Sequence, residues 1–237
     1  MFYGEAQLMF VRAHVAEEVV GKLSESHEFS PRFIFGYETC TGIGARARYW
    51  MYDDEVSILG QNSELGLNWD VVDVEGTARF RTDRADLVVA CGFRWADATI
   101  EQDQFSISSD MPGLTLALDG RAWICQSCVS QWSAVCGARW SILGGDWEGE
   151  TPNGTAPPAA VAWRDDNIVV QELYGGIEYL RYYGHWNVFA RFVFEAQNWR
   201  SDALGTNDVG IGGNPQTDYS LKSIGFLGPG VHIGATY

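Results

Sequence analysis

The sequence predicts an all-β fold: a single antiparallel, up-and-down transmembrane β-barrel of about ten strands spanning residues 1–237. Three observations carry this. Two-residue alternation of apolar and polar side chains is widespread, whereas helical periodicity is almost absent. The connections between alternating segments sort by length, long and short in turn. The charged residues embedded in the alternation nearly cancel.

The alternation places strands at 3–12, 29–38, 42–52, 67–80, 86–96, 112–122, 131–143, 168–181, 186–199 and 220–237. The long connections are then 13–28, 53–66, 97–111, 144–167 and 200–219, and the short ones 39–41, 81–85, 123–130 and 182–185. In a meander every second connection lies at the same end. All long loops therefore gather at one rim and all short turns at the other, the layout of outer-membrane barrels with short periplasmic turns and long outer loops.

Each strand has one apolar face and one face with charges. Ile43, Ala45, Ala47, Tyr49 and Met51 oppose Gly44, Arg46, Arg48, Trp50 and Tyr52. Val72, Val74, Gly76, Ala78 and Phe80 oppose Asp73, Glu75, Thr77 and Arg79. Leu87, Val89, Cys91, Phe93 and Trp95 oppose Asp86, Gly92 and Arg94, and Val188, Ala190, Phe192, Phe194 and Ala196 oppose Arg191, Glu195 and Gln197. A soluble barrel of lipocalin type would turn the apolar face inward; a membrane barrel turns it outward.

The charges decide. With the polar phase inward, the lumen receives Arg32, Arg46, Arg48, Arg79, Arg94, Arg121, Arg139 and Arg191. It also receives Glu5, Glu38, Asp73, Glu75, Asp86, Asp119, Glu172, Glu178 and Glu195. Eight bases face nine acids, and every base is Arg, the side chain suited to paired, partly buried carboxylates. Buried charges must be paired, and this set is balanced for pairing. A merely solvated face needs neither the balance nor the absence of Lys, of which the chain has only Lys22 and Lys222.

Trp and Tyr gather towards strand ends: Tyr3, Tyr37, Trp50, Tyr52, Trp69, Trp95, Trp123, Trp132, Trp140, Trp186, Trp199, Tyr219 and Tyr237. They are expected to form girdles at the two headgroup levels. Val231, Ile233 and Tyr237 end the chain on an apolar alternation, and this last strand is expected to close the barrel against 3–12.

The composition excludes other classes. A formal net charge of −15 argues against nucleic-acid binding. No run approaches the length of a transmembrane helix. Met1-Phe2-Tyr3-Gly4-Glu5 has neither a basic nor an apolar signal region, so the expectation is either a cytosolic protein or a chain given without its export signal.

The run Ser30-Pro31-Arg32-Phe33-Ile34-Phe35-Gly36-Tyr37-Glu38, with Gly42-Ile43-Gly44-Ala45-Arg46-Ala47-Arg48-Tyr49-Trp50, resembles a hairpin of the pore-forming outer-membrane proteins related to the Legionella major outer membrane protein, especially their planctomycete branch. Phe2-Tyr3-Gly4-Glu5-Ala6 with Phe10-Val11-Arg12, Phe194-Glu195-Ala196-Gln197-Asn198-Trp199 and Ile224-Gly225-Phe226-Leu227-Gly228 look similar to the same family. The resemblance covers both chain ends and the first half of the barrel, and 144–185 poorly. It implies a bacterial outer-membrane location and pore formation, and transfers no catalytic residue. The terminal aromatic likewise resembles the C-terminal signal read by the outer-membrane insertion machinery.

Function is then expected to be porin-like, a narrow path for ions or small solutes lined by Arg32, Arg46, Arg48, Asp73, Glu75, Arg79, Arg94, Asp119, Arg121, Arg139, Glu172, Arg191 and Glu195. The alternative is a non-conducting structural or surface-interaction barrel, because eight-stranded barrels are just filled by side chains and open channels need many more strands. Expected partners are outer-membrane lipid and lipopolysaccharide, with the insertion machinery engaging the last strand.

No enzyme activity, cofactor or metal is expected. His14, His27, His185 and His232 lack a nucleophile motif, although His14 and His27 share an expected outer loop with Ser24, Ser26 and Glu28. The long loops hold 20 acids against 3 bases, and Asp53-Asp54-Glu55 and Asp165-Asp166-Asn167 are the oxygen clusters suited to bridging divalent cations, without EF-hand spacing. Asn153-Gly154-Thr155 reads as a loop turn. Cys125 and Cys128 fall in a short turn, as a local disulfide or a reduced pair. Cys91 and Cys136 take the outward phase as small hydrophobes.

Overall fold

The computed structural model describes residues 1–15, 27–57, 64–102, 105–150, 162–201 and 223–237, which contain no helix. Ten strands follow one another: β1 (Phe2–Val15), β2 (Glu28–Glu38), β3 (Ile43–Ser57), β4 (Glu64–Arg81), β5 (Ala85–Gln102), β6 (Phe105–Gln126), β7 (Ser130–Glu150), β8 (Ala162–Tyr183), β9 (Trp186–Ser201) and β10 (Ser223–Thr236). Each pairs antiparallel with its chain neighbours, and β1 pairs with β10, so the sheet is a closed up-and-down barrel. Val231 lies opposite Leu8 and Ile233 opposite Ala6. Tyr237 exchanges backbone hydrogen bonds with Phe2 at 2.9 and 3.0 Å. Closure leaves no unpaired edge, which a barrel in lipid cannot tolerate.

The short turns form as expected. Gly42, with φ 83°, turns β2 into β3, and Gly184, with φ 62°, turns β8 into β9; both adopt the left-handed region that only glycine enters at little cost. The other rim differs from expectation. Residues 97–111 do not form a long loop: β5 and β6 continue through them, with only 103–104 between. β3 likewise extends to Ser57, β7 to Glu150, and β8 starts at Ala162. The strands β4 to β8 are 18 to 22 residues long, well beyond the roughly 9–11 needed to cross a bilayer.

The reason is a reversal of phase along the strands. In the turn-side half, Leu87, Phe93 and Trp95 of β5 are exposed, while Asp86 and Arg94 are buried. In the loop-side half, Asp97 and Glu101 are exposed, while Ala96, Ala98 and Ile100 are buried. β4 does the same: Val72 and Val74 are out and Asp73 and Glu75 in, then Asn68 and Asp70 out and Leu67, Trp69 and Val71 in. Two-residue periodicity continues unbroken, but apolar and polar positions exchange faces. Scored as one pattern, the reversed part reads as a polar connection.

Outside, Ile43, Val72, Val74, Phe192 and Phe194 are exposed large hydrophobics, with Ala45 exposed among them. Aromatic pairs mark the turn-side edge of this band: Phe2 with Tyr37, Trp132 with Tyr179, and Trp186 with Tyr237, all with ring centroids 4.8–4.9 Å apart. Tyr49, Trp95 and Trp140 are exposed at the opposite edge.

Candidate functional site: the lumen

The lumen is layered. At its centre lies an ionic belt. Cross-strand register sets Arg46 opposite Glu75 and Arg48 opposite Asp73, within reach of each other. Barrel curvature then brings in residues from distant strands. Arg94 of β5, with no exposed side-chain surface, donates to Asp73 at 2.6 and 3.0 Å and to Glu172 of β8 at 2.6 Å. Arg48 of β3 donates to Glu172 at 2.6 Å and lies 3.4 Å from Asp73. Arg139 of β7 bonds Glu75 and reaches Asp73 at 3.3 Å. Three guanidinium groups and three carboxylates thus interlock across the barrel.

Further pairs extend the belt around the wall. Arg46 bonds Glu75 and Asp119, the latter at 2.7 Å. Arg32 of β2 holds Glu195 of β9 through two hydrogen bonds of 2.6 and 2.9 Å. Arg191 bridges Glu178 at 2.6 Å and both oxygens of Glu5 at 3.0 Å, and Arg121 also reaches Glu178, at 2.9 Å. Arg79 pairs with Glu38 at 2.9 Å near the turn-side mouth. Every one of the seventeen lumen charges expected from the sequence has an opposite-charge partner within 4 Å.

Neutral side chains complete the belt. Gln7 donates to Glu5 at 2.6 Å and accepts from Arg32 at 2.9 Å. Tyr174 donates to Asp119 at 2.9 Å. The Tyr174 ring fills the place where a side chain on Gly137 would sit, so any larger residue at 137 would displace it. His232 places Nδ1 3.2 Å from Glu5. Neither Gln7 nor His232 is singled out as a lumen residue by the sequence reading; both share the inward phase of their strands, which is the signal that places them in the lumen.

Above the belt, towards the long loops, lies an aromatic stack that corrects the girdle expectation. Trp50, Tyr52, Trp69 and Trp199 are not at the lipid headgroups; they are buried in the lumen together with Phe226. Trp50 stacks on Trp199 at 6.2 Å and meets Phe226 edge-on at 5.6 Å, while Tyr52 meets Phe226 at 4.7 Å and Trp69 meets it at 5.7 Å. Offset and edge-on arrangements are the favoured aromatic geometries. Met9, Val11, Leu67, Val71, Met111, Leu143 and Val193 pack with them as one apolar cluster. Their strand-end position suggested a girdle, but after the reversal the inward face is the apolar one. Trp50 and Tyr52 share the phase of Arg46 and Arg48, and that phase was the correct signal.

Two contacts join the layers. The Arg32 guanidinium lies 5.9 Å from the Trp50 ring centroid, a cation–π distance. Trp50 Nε1 donates to Ser30 Oγ at 2.6 Å.

Below the belt a vestibule of about 370 Å³ opens towards the turns. Tyr3, Arg79, Arg121, Trp123 and Tyr182 line its mouth, and Arg48, Arg139, Glu172 and Glu195 line its inner end. No member of the aromatic stack touches it.

Cys125 and Cys128 are free thiols, and Cys91 and Cys136 are exposed on the outer face. Asp54 accepts from Tyr52 at 2.8 Å, and among the described residues no three His, Cys, Asp or Glu side chains cluster closely enough to hold a metal ion. Ser24, Ser26, Asn153-Gly154-Thr155 and Tyr219 lie outside the described residues, and nothing is described of the side chains of Asp165 and Asp166.

No family model matches the chain, and neither does any curated protein. Solved outer-membrane barrels do. The translocator domain of the autotransporter NalP from Neisseria meningitidis superposes with a TM-score of 0.54 at 13% identity, covering 100% of this chain and 88% of that one. The outer membrane protease OmpT from Escherichia coli superposes with a TM-score of 0.57 at 7% identity, covering 99% and 95%. At such identities the likeness concerns fold, and the chain has the fold of an outer-membrane β-barrel.

Proposed function

We propose that the protein is a sealed, non-conducting barrel of the bacterial outer membrane, with its short turns towards the periplasm and its loop-side half raised above the lipid. The observation that carries this reading is the lumen filling: the vestibule ends on the Arg48–Arg94–Arg139 belt, and the aromatic stack closes the barrel beyond it. A barrel of this strand number is narrow enough to be filled by its own side chains. The apolar outer band favours lipid contact, β10 is the strand expected to meet the insertion machinery, and the acidic, water-facing upper wall favours an interaction role at the cell surface. The reading rests on the lumen and not on the resemblance to a pore-forming family.

A porin-like path is the competing reading, favoured by the water-accessible vestibule. Planar-bilayer recording of the refolded chain separates the two. The sealed barrel gives no unitary current in concentrated potassium chloride; regular open steps would overturn it and establish the pore.

A further inference from the structure

The outward charges that end the apolar band change sign around the barrel. Followed from the turns towards the loops, the outward positions of β3 run through Ile43, Ala45, Ala47, Tyr49 and Met51 and then reach Asp53. The first outward charge is likewise Asp70 on β4, Asp97 on β5, Asp110 on β6 and Asp146 on β7. Across the closure of the barrel it is a base. On β1, Leu8 and Phe10 lead to Arg12 and then His14; on β2, Pro31 and Phe29 lead to His27; on β9 the series ends at Arg200.

The register gathers the first three. Phe10 lies opposite Phe29 and Val11 opposite Glu28, so Arg12 and His27 follow on the same outward side of neighbouring strands. The Phe10 and Phe29 rings lie one step below them, with centroids 5.8 Å apart. On the other flank β10 sets Leu227 opposite Arg12 and Gly225 opposite His14. Gly225 leaves a notch between His14 and Asn198, its partner on β9. A Cβ there would meet the backbone oxygens of Gln197 and His14 at 3.4 and 3.7 Å and the His14 Cβ at 3.9 Å, all ordinary contacts.

Nothing described neutralises this patch. Among the described residues no carboxylate pairs with Arg12, His14 or His27, whereas each lumen arginine has one within 4 Å. Glu28, next to His27, takes the inward phase. Arg12 Nε is buried without a hydrogen-bond partner, and a buried donor calls for an acceptor. Burial, then the charges of Arg12 and His27, push the His14 imidazole below its ordinary pKa, as expected of bases that share a site.

The occupant that suits this place is anionic at one end and apolar at the other. The bases favour an anion, and Phe10, Phe29 and Leu227, exposed immediately below, belong to the outward apolar band. We propose that the patch seats the phosphate headgroup of a lipid from the loop-side leaflet. The phosphate sits on Arg12 and His27, a headgroup oxygen enters the Gly225 notch beside His14, and an acyl chain runs along Phe10, Phe29 and Leu227. This inference rests on the reading of the chain as an outer-membrane barrel, whose loop-side leaflet carries phosphorylated glycolipid.

The test is native mass spectrometry of the refolded full chain in neutral detergent at pH 6, titrated with diphosphoryl lipid A. The site predicts saturable retention of one lipid per barrel. Arg12→Gln with His27→Gln should weaken it roughly tenfold or more, the scale of lost charge-assisted hydrogen bonds. Gly225→Leu keeps every charge but fills the notch, and should weaken retention by a smaller factor in a normally folded barrel. Arg84→Gln with Arg181→Gln, exposed bases of the turn-side rim, should leave it unchanged. Unaltered retention in the Arg12/His27 or the Gly225 variant, an equal loss in the turn-side control, or equal retention of lipid A stripped of its phosphates would overturn the proposal. Complete displacement by excess inorganic phosphate would also overturn it, in favour of a free-anion site; retention in its presence supports the lipid. Insertion of the chain into phosphatidylcholine vesicles, followed by heat-modifiable mobility on gels, tests the membrane reading separately. A barrel that inserts but retains no lipid A refutes the headgroup site alone, and a chain that does not insert refutes both.

Discussion

The two halves of the barrel solve the same packing problem with opposite chemistry. In the turn-side half, Phe192, Phe194, Val74 and Leu87 face out and Arg94, Asp73, Glu75 and Glu172 face in. In the loop-side half, Asp70 and Asp97 face out and Trp50, Trp69, Trp199 and Phe226 face in. The strands run straight through both, with the same neighbours and the same pairing. Backbone structure therefore does not set the polarity of the lumen; the solvent outside does. Where the outer face meets hydrocarbon, apolar residues occupy it and the polar set turns inward, where each charge needs a partner. Where the outer face meets water, the ordinary soluble arrangement returns and an apolar core forms. The switch lies between Val72 and Asp70 on β4 and between Trp95 and Asp97 on β5, where the apolar outer band ends.

The halves should also fail differently. The belt depends on chemistry. Arg94→Met keeps much of the volume but leaves Asp73 and Glu172 short of a cation, so it should cost about 3–5 kcal/mol in urea unfolding from detergent. Adding Asp73→Ala should restore part of the loss; strictly additive costs would show that the belt is hydrated and weakly coupled. The stack depends on volume. Trp199→Ala should also cost about 3–5 kcal/mol by leaving a cavity, whereas Trp199→Phe should cost clearly less. Equal sensitivity of belt and stack to volume-preserving changes would erase the distinction.

The outer faces give the next test. Phe194→Arg, in the apolar band, should cost about 2–4 kcal/mol when unfolding is followed in lipid vesicles. Thr99→Arg, on the outward face of the raised half, should change stability by no more than about 0.5 kcal/mol. Similar costs at the two sites would move the lipid boundary. The smallest loss expected at a buried contact concerns the joint between the layers. Ser30→Ala leaves the indole N–H of buried Trp50 unpartnered and should cost about 1–3 kcal/mol, without altering the far-ultraviolet strand signal.

Much of this architecture is legible along the chain. Strand number and order follow from period-two alternation, because successive side chains on a strand must point to opposite faces. The lumen charges follow from balance: an all-Arg set matched by carboxylates is what buried pairing requires, and the structure pairs Arg46 with Glu75 and Arg48 with Asp73 as their strand positions imply. Adjacent-strand contacts are local in the meander, so they can be counted out from the turns.

Other features require the closed barrel. Arg94 meets Glu172 and Arg32 meets Glu195 only because curvature carries β5 towards β8 and β2 towards β9 across the lumen. The reversal of phase is present in the sequence, yet a single polarity rule applied to whole strands hides it, so 97–111 read as loop and Trp50, Tyr52, Trp69 and Trp199 as a girdle. The row of Asp97, Asp110 and Asp146 on the outer wall likewise exists only once β5, β6 and β7 lie side by side. Alternation is a property of one strand and is written in its order of residues. Which face meets lipid, water or another side chain is a property of many strands at one height, and only closure brings those strands to that height together.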